Sequence, residues 1–230
     1  MKTLGIIPAR GGSKAVPRKN IRLVGRKPLI EYSIDAAKGS RLLSRFVVST
    51  DDEEIAVVAR KCGCDVIIRP PELAADDTPM APVALHALRI LQSQGEEFDA
   101  TAILQPTAPL RTSDDIDLAL DLLAQGDCDS VVSVYQVSDQ HPARMYKLIS
   151  GYLMPYEQEP ANRLRQYLPP VYHRNGAVYV CINKLLEEKG VLLGTAIKPY
   201  IMSKERSLNI DEELDLAFAD WFLSQYGGNL

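Results

Sequence analysis

Ile6-Ile7-Pro8-Ala9-Arg10-Gly11-Gly12-Ser13-Lys14, continued by Pro17-Arg18-Lys19-Asn20, is the stretch that decides the fold. It opens as the end of an apolar run from Thr3 to Pro8, too short for a helix and bounded by a Gly-rich loop, so it reads as a buried strand. Gly11 and Gly12 let backbone N–H groups approach a ligand closely, and Arg10, Lys14 and Lys19 add charge-assisted contacts. A glycine-rich basic loop directly after a first strand points to phosphate binding at the carboxyl end of an α/β sheet. Neither G-x-x-x-x-G-K-[ST] nor G-x-G-x-x-G is present, so two familiar nucleotide loops are excluded.

Strand-like and helix-like segments alternate outward from this loop. Residues 29–38 have helical spacing, with Leu29, Ile30, Ser33, Ile34 and Ala37 on one side. Strands are expected at 45–49, 65–68, 100–104 and 129–135, and helices from Thr50 to Gly63, over 82–94, and over 113–125 with Ser113 as cap. This rhythm implies right-handed crossovers and a mainly parallel sheet. Residues 136–175 break it; their many Pro, Arg and Tyr residues fit a small lobe, an oligomer arm or a lid. Strand character returns at 177–182 and 197–201. A last amphipathic helix, 212–223, is expected to turn Leu214, Ala217, Phe218, Trp221 and Phe222 to the core.

Composition narrows the class. The 230 residues are 46% hydrophobic and 24% charged, as in an ordinary globular protein, enough for one large domain. No segment approaches the ~20 apolar residues that span a bilayer, and the N-terminal run is too short for a signal peptide, so a cytoplasmic location away from membranes is expected. The net charge of -4 speaks against general nucleic-acid binding. Residues 1–30 carry Lys2, Arg10, Lys14, Arg18, Lys19, Arg22, Arg26 and Lys27 and no acid, which suits a small polyanion. Cys62, Cys64, Cys128 and Cys181 read as free thiols, because Cys62-Gly63-Cys64 lacks zinc spacing.

The first stretch resembles the signature of the acylneuraminate cytidylyltransferase (CMP-sialic acid synthetase) family. Further blocks occur in that family's order: Val48-Ser49-Thr50-Asp51, Arg69-Pro70-Pro71-Glu72-Leu73-Ala74, Leu104-Gln105-Pro106-Thr107-Ala108-Pro109-Leu110-Arg111, Asn175-Gly176-Ala177-Val178-Tyr179, and Asn209-Ile210-Asp211. The resemblance implies a Rossmann-like α/β nucleotidyltransferase fold. Residues 1–230 would form a single domain with a small dimerisation lobe inserted around residues 136–170, and the chain would act as a homodimer. It implies transfer of CMP from CTP to the anomeric hydroxyl of a nine-carbon 2-keto sugar acid. The alternatives are another acceptor (legionaminic acid, an eight-carbon keto acid or an amino sugar) or a nucleotide binder without catalysis.

By the same resemblance, Ala9, Arg10, Gly11, Gly12, Ser13, Lys14, Lys19, Asn20 and Arg69 would bind the nucleotide. Gln105, Thr107, Arg165, Gln166, Asn175 and Tyr179 would bind the acceptor. An arginine at 165 suits a sugar carboxylate, which its planar fork can grip with two hydrogen bonds. Catalysis would rest on Arg10, Lys19 and Asp211, with Mg2+ on Asp211 and Asn209. Asn209 stands where many members of that family carry a second acid. His173-Arg174 replaces an Arg-Pro pair, and Ala81 replaces a serine on the cytosine side.

Overall fold

A computed structural model describes residues 1–156 and 164–226. In chain order the strands and helices are β1 (Thr3–Pro8), β2 (Leu23–Val24), β3 (Lys27–Pro28), α1 (Leu29–Gly39), β4 (Arg45–Thr50), α2 (Glu53–Lys61) and β5 (Asp65–Ile68). Then come α3 (Met80–Ser93), β6 (Ala100–Ile103), α4 (Ser113–Ala124), β7 (Ser130–Gln136), β8 (Tyr146–Ile149) and β9 (Tyr152–Pro155). β10 (Tyr172–Ile182), α5 (Asn183–Lys189), β11 (Ile197–Ile201) and α6 (Glu213–Tyr226) complete the chain. The main sheet has the order β11-β7-β10-β6-β1-β4-β5. All neighbours are parallel except β10, which runs antiparallel to both β6 and β7. This is the expected Rossmann-like α/β class.

Alternation along β1 builds the two cores. Leu4 and Ile6 face α3 and α5, while Ile7 and Ala9 face the layer of α1, α2 and α4. The face expected for α1 is the buried one: Leu29, Ile30, Ser33, Ile34 and Ala37 are all inside. From β1 the chain winds outward through β4 and β5, then returns through α3 to β6 on the other side of β1. That reversal is a topological switch point, where open α/β sheets bind ligands.

Four local expectations are corrected. The α4 cap is Thr112, not Ser113: Thr112 and Asp115 form a reciprocal capping box, which a serine one place later cannot make. The α2 cap is Asp52, accepting from Ile55 N, while Thr50 instead accepts from Asp52 N. The strand expected at 177–182 begins at Tyr172. The irregular region also contains the hairpin β8–β9, whose apolar residues lie on both faces and so carry no period-2 signal. Finally, α6 buries Leu216, Ala219 and Leu223, not Leu214, Ala217, Phe218 and Trp221; Phe222 is half-buried. This helix is apolar on more than one side, so docking against β2 and the start of α1 selects the face, not periodicity.

Candidate active site

Loops at the carboxyl ends of β1, β5 and β6 meet the Asn209–Asp211 segment around a pocket of about 230 Å3. It is lined by Pro8, Arg10, Ser13, Lys19 and Asn20 from the first loop, Arg69 and Met80, Gln105, Pro106 and Thr107, and Asn209 with Asp211. A larger groove of about 520 Å3 lies between the β2–β3 ribbon, Tyr32 and the Pro109–Ser113 turn. It holds none of the residues of the glycine-rich loop, so the smaller pocket is where the sequence motifs converge.

Backbone ties set the pocket's shape. Asn20, nearly buried, donates from Nδ2 to Arg10 O at 2.9 Å and closes the loop on itself. Lys19 Nζ donates to Ile210 O at 2.8 Å, and Ile210 N donates to Thr107 O at 2.8 Å. Three segments distant in sequence are thereby joined at Ile210. Gly176, at φ +76°, sits beneath them: a Cβ there would lie 2.9 Å from Gln105 Oε1 and 3.2 Å from Asn209 Oδ1. Only glycine fits both the backbone and the space.

The glycine-rich loop works differently from the simple cradle that its composition suggests. Gly11 N donates to Asp51 Oδ1 at 3.2 Å and Ser13 N to Gly11 O at 3.1 Å, so these N–H groups are already paired. A side chain at Gly11 would collide with Asp52, so this glycine makes room for a carboxylate. Gly12 faces open space. What the loop offers an anion is therefore chiefly its side-chain cations.

Those cations are held by acids. Arg10 pairs with Asp76 at 2.7 Å, and Lys14 pairs with the other oxygen of the same carboxylate. Their charges hold the Asp76 carboxyl below its usual range, the hydrogen bond from Lys14 most strongly. Arg18, in the left-handed region at φ 58°, binds Asp52 and Glu54. Arg69 is only 4% exposed; its Nη2 lies 3.6 Å from Asp51, and its Nε has no protein partner among the described residues. Burial lowers the pKa of Arg69 and also that of Lys19, whose ammonium is 4.0 Å from Asp211.

For a metal, the available donors are few. Among the described residues no three His, Cys, Asp or Glu side chains gather to hold one. Asp211, with its side chain 75% exposed, accepts from Asn209 Nδ2 at 2.6 Å. This bond fixes the amide so that Asn209 Oδ1 is buried without a donor. The exposed Asp211 carboxylate suits an ion such as Mg2+, which takes oxygen ligands and fills its shell mainly with phosphate and water, and a turn of the Asn209 amide would bring its orphan oxygen to the same ion.

Several expected residues stand elsewhere. Asn175 is buried and fully used: Oδ1 accepts from Ser133 and Ala177, and Nδ2 donates to Ser207 and Met202 Sδ. It holds the β10 bulge and does not face the pocket. Tyr179 packs into the α3–α5 core, where burial raises its pKa. Ala9 is buried in the other core layer. Gln166 is exposed in the short turn Arg165–Tyr167, away from the pocket lining; the side chain of Arg165 lies outside the described residues. His141 is structural, its Nε2 facing Pro169 O at 3.0 Å and its Nδ1 accepting from Ala143 N. Sequence patterns alone do not mark Asp51, Asp76 and Arg111 as site residues. Asp51 and Arg111 lie inside quoted blocks, which was the available signal; Asp76 had none.

Comparison with known proteins gives the family. A family profile described as cytidylyltransferase matches residues 4–164. The chain belongs to the cytidylyltransferase family. It is 33% identical over 225 residues to the N-acylneuraminate cytidylyltransferase of Escherichia coli O18:K1:H7, covering 95% of this chain and 51% of that one. It thus spans about half the length of that relative. It is also 33% identical to the pseudaminic acid cytidylyltransferase of Campylobacter jejuni, over 95% of both chains. The CMP-N,N'-diacetyllegionaminic acid synthase of Legionella pneumophila is again 33% identical, over 96% of this chain and 95% of that one. Among solved structures, a CMP:2-keto-3-deoxy-manno-octonic acid synthetase complexed with CTP superposes with TM-score 0.76 at 16% identity, over 98% and 99% of the two chains. That likeness establishes the fold of this cytidylyltransferase-family chain. No helix among the described residues is long and apolar enough to cross a membrane.

Proposed function

We propose that the chain transfers CMP from CTP to the anomeric hydroxyl of an acidic 2-keto sugar, of the nine-carbon sialic-acid type, and releases pyrophosphate. The observation that carries this reading is the pocket itself. Arg10, Lys19 and Arg69 line a space of about 230 Å3 together with the neutral polar side chains of Gln105, Thr107 and Asn209 and the carboxylate of Asp211. In the reaction the anomeric oxygen bonds to the α-phosphorus, the bond to pyrophosphate breaks, and the hydroxyl proton passes to solvent. Arg10 and Lys19 stabilise charge as it shifts onto phosphate oxygens, and the pocket aligns the hydroxyl. Mg2+ held by Asp211 and Asn209 would supply Lewis-acid charge neutralisation at the phosphates. The relatives at equal identity bear three different sugar names, so the sialic-acid type is a choice among similar nine-carbon acceptors.

Magnesium-dependent pyrophosphate release from CTP, run against N-acetylneuraminic, pseudaminic, legionaminic and eight-carbon keto acids, tests the reading. Release with one nine-carbon acid supports it. CTP binding without release on any acid would leave a nucleotide binder.

The working unit we propose is a homodimer. The hairpin β8–β9 leaves Leu148 73% and Tyr152 76% exposed, with Leu153 and Met154 beside them. A lone two-stranded hairpin with apolar faces is marginal in water and is stabilised by a partner surface. Light scattering of the double variant Leu148→Asp, Leu153→Asp should give a monomer; an unchanged dimer would place the contact elsewhere.

A further inference from the structure

Arg111 is 4% exposed, and its partners are neutral oxygens. Nη1 donates to Gln105 O at 3.0 Å and to Ala177 O at 2.8 Å, and Nη2 donates to Ser33 Oγ. The Gln105 carbonyl also receives Ala108 N at 3.3 Å and Ser33 Oγ at 3.4 Å. Ala177 follows Gly176 in the irregular stretch of β10, where the register against β7 shifts between Arg174 and Tyr179. A bulge leaves carbonyls outside the ladder, and a buried one must find a donor. Asp115 attracts Arg111 but is itself held by Arg206 and Tyr200. Burial pulls the Arg111 pKa down to about 10. As filler, an apolar side chain would be stabler than such a cation. What an apolar chain cannot do is bond two carbonyls on separate segments with one rigid fork.

We propose that Arg111 is a positioning residue for the acceptor side of the site: its fork locks the Gln105–Ala108 turn against the β10 bulge. Gln105 then presents its side chain at a fixed position beside Gly176, and Thr107 in the same turn presents its own to the pocket. This proposal rests on the function proposed above. The phosphate side hangs chiefly on Asn20, Asp51 and Asp76; its one tie to the Arg111-held turn runs from Lys19 through Ile210 to Thr107 O.

The experiment compares wild type, Arg111→Met and Arg111→Lys. The dissociation constant of CTP with Mg2+ is measured directly, and kcat/KM is measured for the best sugar acid. In Arg111→Met, CTP binding should stay within about threefold, while acceptor kcat/KM falls about 100-fold, the scale of a displaced reacting group. Arg111→Lys should recover part of the loss. Amide hydrogen exchange over residues 105–108 and 175–178 should accelerate in Arg111→Met. Parallel losses for CTP and acceptor, or no acceptor loss, overturn the proposal. If wild type releases no pyrophosphate with any sugar acid, the functional reading fails, and exchange protection at the two segments still decides the clamp. If Arg111→Met does not fold, Arg111→Lys carries the same comparisons.

Discussion

Lys19→Met separates what Lys19 does for the fold from what it does for the reaction. The lysine side chain is 14% exposed, and methionine keeps most of its apolar stem. The lost hydrogen bond to Ile210 O at 2.8 Å costs about 1–2 kcal/mol, since that buried carbonyl is left without its donor. The Asp211 contact at 4.0 Å adds less than about 1 kcal/mol, because Asp211 is largely in water and screened. The melting temperature should therefore fall by only about 3–8 °C for a chain of this size. Removing one donor that meets developing phosphate charge costs about 10²–10³ in turnover, or about 3–4 kcal/mol. Steady-state pyrophosphate release, beside a thermal melt, reads both. Turnover within about threefold of wild type would take Lys19 out of the chemistry.

A pH profile gives an independent reading. Burial places the folded Lys19 pKa below the ordinary 10.5, so the cation is lost as pH rises through that lowered value. Activity should fall on an alkaline limb with its midpoint below 10.5, and Lys19→Arg should move the limb upward. The stability sign is opposite. Between the two pKa values the unfolded chain binds more protons, so this group's contribution to stability grows with pH there.

Asp76→Asn removes the carboxylate that occupies Arg10 and Lys14; the KM for CTP should drop about two- to fivefold at low salt, and an unchanged KM would show that the pairing does not compete. Asn209→Asp puts a second charge beside Asp211. The Mg2+ needed for half-maximal release should fall several-fold, and the difference in melting temperature between Mg2+ and EDTA should widen. Equal values in both proteins would remove position 209 from the metal site. Asp115→Ala leaves Arg206 and the Thr112 cap without the carboxylate that joins them, at a cost of about 3 kcal/mol or more and a melting point lower by about 10 °C. A denaturant curve within 1 kcal/mol of wild type would contradict that burial argument.

Much of the scaffold was legible because its signals are local. β5 and β11 fall where their apolar runs place them, and the buried face of α1 follows from spacing alone. The loop from Pro8 to Asn20 announces itself by glycines and charge, and its place after β1 puts it at the mouth of a parallel sheet. Asn175 and Tyr179 mislead because a quoted block says which residues travel together, not which way each side chain turns. Here a bulge turns Asn175 inward, and the pleat sends Tyr179 to the α3–α5 core.

The sequence by itself determined the α/β class, the place of the glycine-rich basic loop after β1 and the family, because strand, turn and charge patterns are written within a few residues. Tertiary structure alone decided that Asp52 and Asp76 neutralise the loop's cations, that Asp51 joins Gly11 to Arg69, that α6 docks by Leu216, Ala219 and Leu223, and that Arg111 joins the Gln105 turn to the β10 bulge. Each of these depends on partners tens of residues away, whose meeting is set by strand order and packing and leaves no periodic trace in the chain.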